Sequence, residues 1–168
     1  MINKRNTISD LLEEKVKKGV EVRVMYDGMC SIAMLPYNYP EYLKAKGIQC
    51  KMFSPIRPAL STYQNNRDHR KILVIDGKVA FNGGINIGDE YINRKSKYGH
   101  WKDCAVMLKG DAVKSFVIMF LQMWNINEKK SEDYGKYIYN DINNLNEGHG
   151  YIIPFGDSPL DEEQVGVN

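Results

Sequence analysis

A tight hairpin constrains everything around it, and one is written into NNRDHRKILVIDGKVAFNGGIN, residues 65–86. The runs KILVI and KVAFN flank Asp76-Gly77, and an Asp-Gly pair between β-branched runs is among the strongest short-range hairpin signals. A two-residue turn there sets Ile75 opposite Lys78. Counting back, Lys71 falls across from Asn82 and His69 across from Gly84. Side chains alternate with period two, so His69, Lys71, Asn82 and Gly84 are expected on one face, joined by Asn86 if the strand continues.

That face would carry an imidazole, an ammonium and a carboxamide around a glycine that leaves room for an anion. Lys71 supplies charge, Asn86 an amide donor, and His69 a group that attacks or moves protons near neutral pH. Such equipment suits a phosphate ester. Taken singly, each residue has an ordinary reading: a surface histidine, an edge-strand lysine that discourages aggregation, a glycine pair at a bulge. Their joint spacing favours the chemical one.

Composition sets the frame for such a site. The chain has 168 residues, 43% of them hydrophobic and 26% charged, enough for one globular domain with its own core. With 23 basic against 21 acidic side chains, the charge balance does not call for a polyanion and argues against nucleic acid as a partner. Cys30, Cys50 and Cys104 are odd in number and form no C-x-x-C pair, against both a disulfide framework and a zinc site. They are expected to be reduced core thiols in a cytosolic setting. The longest apolar run, Phe116 to Trp124, falls short of the roughly 18–20 residues that cross a bilayer. Met1 leads into INKRN with no signal-like apolar segment. The chain itself is expected to be soluble.

The remaining elements imply an α/β layered domain. TISDLLEEKVKKG reads as a helix with Ser9 as N-cap and Gly19 as its stop, VEVRVMYD as a strand ending at Asp27-Gly28, YPEYLKAKG as a short helix stopped by Gly47, and IQCKMF as a second strand. SPIRPALSTYQNN is a Pro-interrupted loop. WKDCAVMLKG reads as a further strand and DAVKSFVIMFLQMWNINE as the last helix, with Val113, Phe116, Val117, Phe120 and Trp124 along one stripe. From Asn140 the chain turns loop-like, so residues 1–139 are expected to form the folded part and 140–168 a linker. The tyrosines of MLPYNYPEYL and SPIRPALSTY would suit a lipid interface if exposed, although local packing is the better expectation.

His69-x-Lys71, then Asp76, then Gly83-Gly84-x-Asn86 resembles the signature of the phospholipase D superfamily. The flanking sequence, with GHWKD and PFGDSPLDEE, most resembles bacterial cardiolipin synthases, over nearly the whole chain from about Ile8. The resemblance implies one half of a phospholipase D-like fold, a central mixed β-sheet flanked by helices. It implies that His69 is either the nucleophile that takes up a phosphatidyl group or the acid that protonates the leaving alcohol. Lys71 and Asn86 would hold phosphate oxygens beside Gly84. Asp76 would be structural, and Asp103 would hydrogen-bond the His69 imidazole; no metal or other cofactor is implied. Many superfamily members have serine at the position of Gly84, so one hydroxyl contact is absent here.

Phospholipase D enzymes combine two such motifs in one site, whereas this chain carries the pattern once and neither His100 nor His149 opens a β-hairpin. The expectation is therefore a first catalytic half, without the family's first strand and membrane helices. Its parent would condense two phosphatidylglycerols into cardiolipin and glycerol at the bacterial cytoplasmic membrane. The partner would be the missing second half or a second copy of the chain. Two other readings are a one-motif nuclease active as a homodimer and a non-catalytic phosphate-binding scaffold.

Overall fold

A computed structural model describes residues 4–31, 34–55, 67–96, 99–130, 132–139 and 151–156. They divide into two compact units, residues 1–71 with 83–105 and residues 72–82 with 106–168. The first unit holds α1 (Lys4–Lys17), β1 (Arg23–Asp27), α2 (Gly28–Ser31), α3 (Tyr39–Ala45) and β2 (Gln49–Phe53). β1 and β2 pair in parallel, Val24 opposite Cys50. Parallel strands need a crossover, and the segment carrying α2 and α3 provides it.

Leu43, Ile48 and Cys50 form the buried centre of this unit, and Leu12, Val16, Val22, Val24, Tyr26 and Tyr39 pack against it. Leu12 and Val16 at helical spacing and Val22, Val24, Tyr26, Ile48 and Cys50 by strand alternation are legible in the sequence, whereas Leu11 and Val20, apolar in the same patterns, are 53% and 43% exposed. Gly19 and Gly47 follow their helices with φ of +85° and +76°, as the stops require. Ser9 is a correction. The helix already begins at Lys4, so Ser9 lies inside it, 2% exposed, with its hydroxyl 3.5 Å from that of Tyr42 on α3. A serine ahead of an apolar run looks like a cap, but here a partner on another helix satisfies its oxygen. Lys46 joins the two helices from outside, bonding Asp10 at 2.8 Å and Glu13. Bonds from Lys17 and Lys46 hold the Glu13 carboxyl down to about 2.

The second unit is built on the hairpin, with β3 (Ile72–Ile75) and β4 (Val79–Gly83), beside which β5 (Ala105–Lys109) completes the sheet order β3-β4-β5. The expected turn is present: Lys78 N–H donates to Ile75 O at 3.0 Å around Asp76 and Gly77, whose φ values are +54° and +65°. The expected register is not. Ile75 pairs with Val79 and Ile72 with Asn82, so Lys78 is an extra residue outside the ladder and the alternation shifts by one. Asn82 faces Ile72, not Lys71. The shift puts Ala80, fully buried, with Ile72 and Val74 on the side packed by α4 (Ala112–Trp124). A methyl group there leaves room for Val113, Phe116 and Val117.

On α4 the fully buried stripe is Val113, Phe116, Val117, Leu121 and Trp124. Phe120, expected among them, is only partly buried and stacks on Trp124 with ring centroids 5.7 Å apart. A 3-10 turn at Tyr134–Tyr137 packs against the end of the helix, with Tyr137 donating to Glu132 at 2.8 Å.

Parallel and antiparallel pairing are thus both present, divided among the described residues between a two-stranded and a three-stranded sheet. The class is α/β. No described helix is long and apolar enough to cross a membrane. Tyr39 packs against Tyr26 and Tyr42, while Tyr37 is 97% exposed. Residues 56–66, with most of the Pro-interrupted loop, and most of the expected linker after Asn140 lie outside the described residues.

Of the expected core thiols, Cys50 is buried, and burial pushes its thiol up to about 11. Cys104 is exposed, which corrects that expectation. It sits where the chain enters β5, a strand whose residues are mostly exposed.

Candidate active site

His69 and Lys71 were expected inside a strand. They lie instead in the lead-in to it, because β3 starts at Ile72. A segment without ladder hydrogen bonds must be held by side chains, and this one is. Asp68 grips Arg70 by a two-pronged bond, Nε to Oδ1 at 2.8 Å and Nη2 to Oδ2 at 2.9 Å. It also accepts the Arg70 N–H at 3.1 Å. Burial pushes the Asp68 carboxyl up, but the side-chain and backbone bonds from Arg70, with the charges of Arg70 and Lys71, outweigh this and hold it below the usual carboxylate range. Lys71 Nζ folds back to His69 O at 2.6 Å. The His69 side chain is exposed.

The other motif residues sit in a second construction of the same unit. Asn86 Nδ2 donates to Tyr91 OH at 2.9 Å. The Tyr91 ring meets Trp101 edge-on with centroids 4.7 Å apart, and Trp101 Nε1 donates to Asp103 Oδ2 at 3.1 Å. Asp103 Oδ1 accepts the N–H of Cys104 at 2.8 Å. Trp101 is itself fixed through its main chain, its N–H donating to Asn93 Oδ1 at 2.6 Å and its carbonyl accepting from Asn93 Nδ2 at 2.9 Å. Asn93 takes a left-handed φ of +58°, which asparagine tolerates better than other side-chain-bearing residues.

The two glycines are explained by close approach. A Cβ at Gly83 would lie 2.8 Å from the Ala105 Cβ and from Cys104 O, so the end of β4 could not run this close to the start of β5. At Gly84 a Cβ would come within 2.7 Å of Asp103 Oδ1. The room at Gly84, expected to receive an anion, is taken on that side by the Asp103 carboxylate.

Gly84, Asn86 and Asp103 are therefore brought together through Tyr91 and Trp101, and His69 and Lys71 are brought together by their own segment. All five belong to the first unit. Asp103 bonds Trp101 and Cys104 in this structure, not the His69 ring. An ionised carboxylate offers about four lone-pair positions, so two acceptor positions remain. Asp76 lies in the hairpin turn, within the second unit.

Tyr91, Asn93 and Trp101 were missed from sequence. Trp101 had a signal, standing two residues before Asp103 in GHWKD; Tyr91 and Asn93 had none. His100 and Lys102 repeat the His-x-Lys spacing without the rest of the pattern, and both are exposed.

Residues 1–124 match the family described as cardiolipin synthase, PLD-like domain. An uncharacterized protein of Streptococcus mutans is 55% identical over 161 residues, 96% of this chain and 34% of its own length. A cardiolipin synthase of Oceanobacillus iheyensis is 35% identical over 161 residues, 96% of this chain and 33% of its own. That of Alkalihalophilus pseudofirmus is 45% identical over 121 residues, 71% of this chain and 24% of its own. The chain thus spans 24% to 34% of the length of these relatives.

Proposed function

The chain belongs to the family of cardiolipin synthase phospholipase D-like domains, and from that membership we propose that it supplies one half of a phosphatidyltransferase site. The reaction joins two phosphatidylglycerols into cardiolipin and releases glycerol. One imidazole attacks phosphorus to form a phosphohistidine, while a second protonates the departing glycerol oxygen. The second imidazole then takes the proton of the incoming hydroxyl, whose oxygen displaces the first. His69 fills one of these two roles. Lys71 and Asn86 hold the phosphate oxygens, exchanging their present bonds to His69 O and Tyr91 OH for bonds to substrate.

The observation that supports this reading is that His69, Lys71, Asn86 and a braced Asp103 all belong to one compact unit. The complementary imidazole comes from the rest of a longer polypeptide or from a second copy. The membrane surface is where the longer protein meets its lipid.

It follows that the purified chain, as a monomer, should form no cardiolipin from phosphatidylglycerol vesicles. A full-length protein carrying it should release glycerol and cardiolipin in equal amounts, and His69→Ala should abolish both. Turnover by the monomeric chain, with its mass measured alongside, would overturn the two-imidazole account. Cleavage of single-stranded DNA in place of lipid transfer would favour the nuclease reading.

A further inference from the structure

The segment bearing His69 precedes the β3 ladder, so its position depends on what grips it from the side. The inside grip comes from Asp27, at the end of β1. The Asp27 side chain is 7% exposed. Its Oδ2 accepts the N–H of Asp68 at 3.2 Å, across a sequence separation of 41. Its Oδ1 accepts the N–H of Met29 at 3.0 Å and stands 3.8 Å from Arg67 Nη1. The Arg67 guanidinium also lies against the Met29 sulfur. The main chain of Asp27 is tied down as well, its carbonyl accepting the Ser31 hydroxyl at 2.5 Å. Asp27 continues the parallel pairing of β1 with β2, opposite Phe53. One carboxylate thus connects a paired strand to the residues immediately before His69.

We propose that Asp27 is a positioning residue for the phosphoryl-transfer site. It fixes the main chain at Asp68 and the side chain of Arg67, and through them the place from which His69 and Lys71 reach the phosphate. This rests on the reading of His69 and Lys71 as the phosphate-handling pair. Asp27 touches no substrate.

A carboxylate is required for a geometric reason. The two N–H donors, from Met29 and Asp68, use different oxygens. An amide has one acceptor oxygen, and its NH2 would face the other donor. Asparagine can therefore satisfy only one of them, and its oxygen stays on the side of the shorter, local Met29 bond and of Arg67, which turns its NH2 against the Asp68 N–H. Alanine holds neither.

The test uses the 168-residue chain with orthovanadate as the probe. Amide hydrogen exchange is read at Asp68 and across β1 and β2, and vanadate affinity is read from the His69 ring resonances. Asp27→Asn should speed exchange of the Asp68 amide about tenfold or more while β1 and β2 keep their protection, and should weaken vanadate binding by a similar factor. Asp27→Ala should do both more strongly; if it loses β1–β2 protection, the nearly isosteric asparagine variant decides. Unchanged exchange at Asp68, or vanadate affinity equal to the wild type, overturns the role of Asp27 and leaves the proposed site standing. Failure of the wild type to bind vanadate removes the proposed site and this inference with it.

Discussion

If the proposed phosphatidyl transfer is right, Asp103→Asn should lower it in a full-length protein carrying this chain by about two to four orders of magnitude while the fold stays intact. Both carboxylate oxygens already accept N–H groups, one from the Trp101 indole and one from the Cys104 main chain. An amide can satisfy only one of them and must turn its NH2 against the other. The variant therefore either rotates away from Trp101 or presents a donor where the proposed contact to the His69 imidazole needs an acceptor. A neutral group also cannot stabilise an imidazolium. Steady-state transfer assays beside a urea melt distinguish the outcomes. Near wild-type transfer would reduce Asp103 to a brace for Trp101, and an unfolded variant would make it a stability residue first.

Gly84→Ser should be nearly as damaging, although many members of the superfamily that the motif resembles have serine at this place. Its Cβ would arrive 2.7 Å from Asp103 Oδ1, closer than real contacts allow, and a tight 3.1 Å from Oδ2. The carboxylate must then move, which strains its bonds to the Cys104 N–H and the Trp101 indole. We expect transfer to fall about a hundredfold and the chain to lose about 1–3 kcal/mol of stability by overpacking. The double variant Gly84→Ser with Asp103→Ala should regain stability relative to the serine variant, because the clash is gone, without regaining activity. Equal stability of single and double variants would show that the serine is accommodated some other way.

How much of this was legible in the sequence depends on how local each determinant is. The Asp76-Gly77 turn was legible because two left-handed residues in succession are a chemical demand that few pairs meet. The register was not. It depends on Lys78 falling outside the ladder, which follows from the need to place Ala80 under α4, a contact more than thirty residues away in sequence. Ser9 misled for the same reason, since its hydroxyl answers to Tyr42 on another helix.

The motif residues announced themselves by spacing, but their supports did not. Asn86, Tyr91, Trp101 and Asp103 form a sequence of contacts only after the loop through residue 93 closes on Trp101. Gly84 carried the right signal with an incomplete interpretation. Room was needed there, but on the Cβ side it is the room Asp103 fills. The distant partners of a site are set by tertiary approach, which leaves no periodic trace in the chain.

The central claim, that His69, Lys71 and Asn86 form half of a phosphoryl-transfer site, is tested most directly by titrating the chain with orthovanadate while following the His69 ring by NMR. The account predicts a saturable shift of the His69 resonances, with affinity about tenfold weaker in Lys71→Ala and in Asn86→Ala. A titration in which the His69 ring does not respond, or in which both variants bind vanadate as well as the wild type, would contradict it.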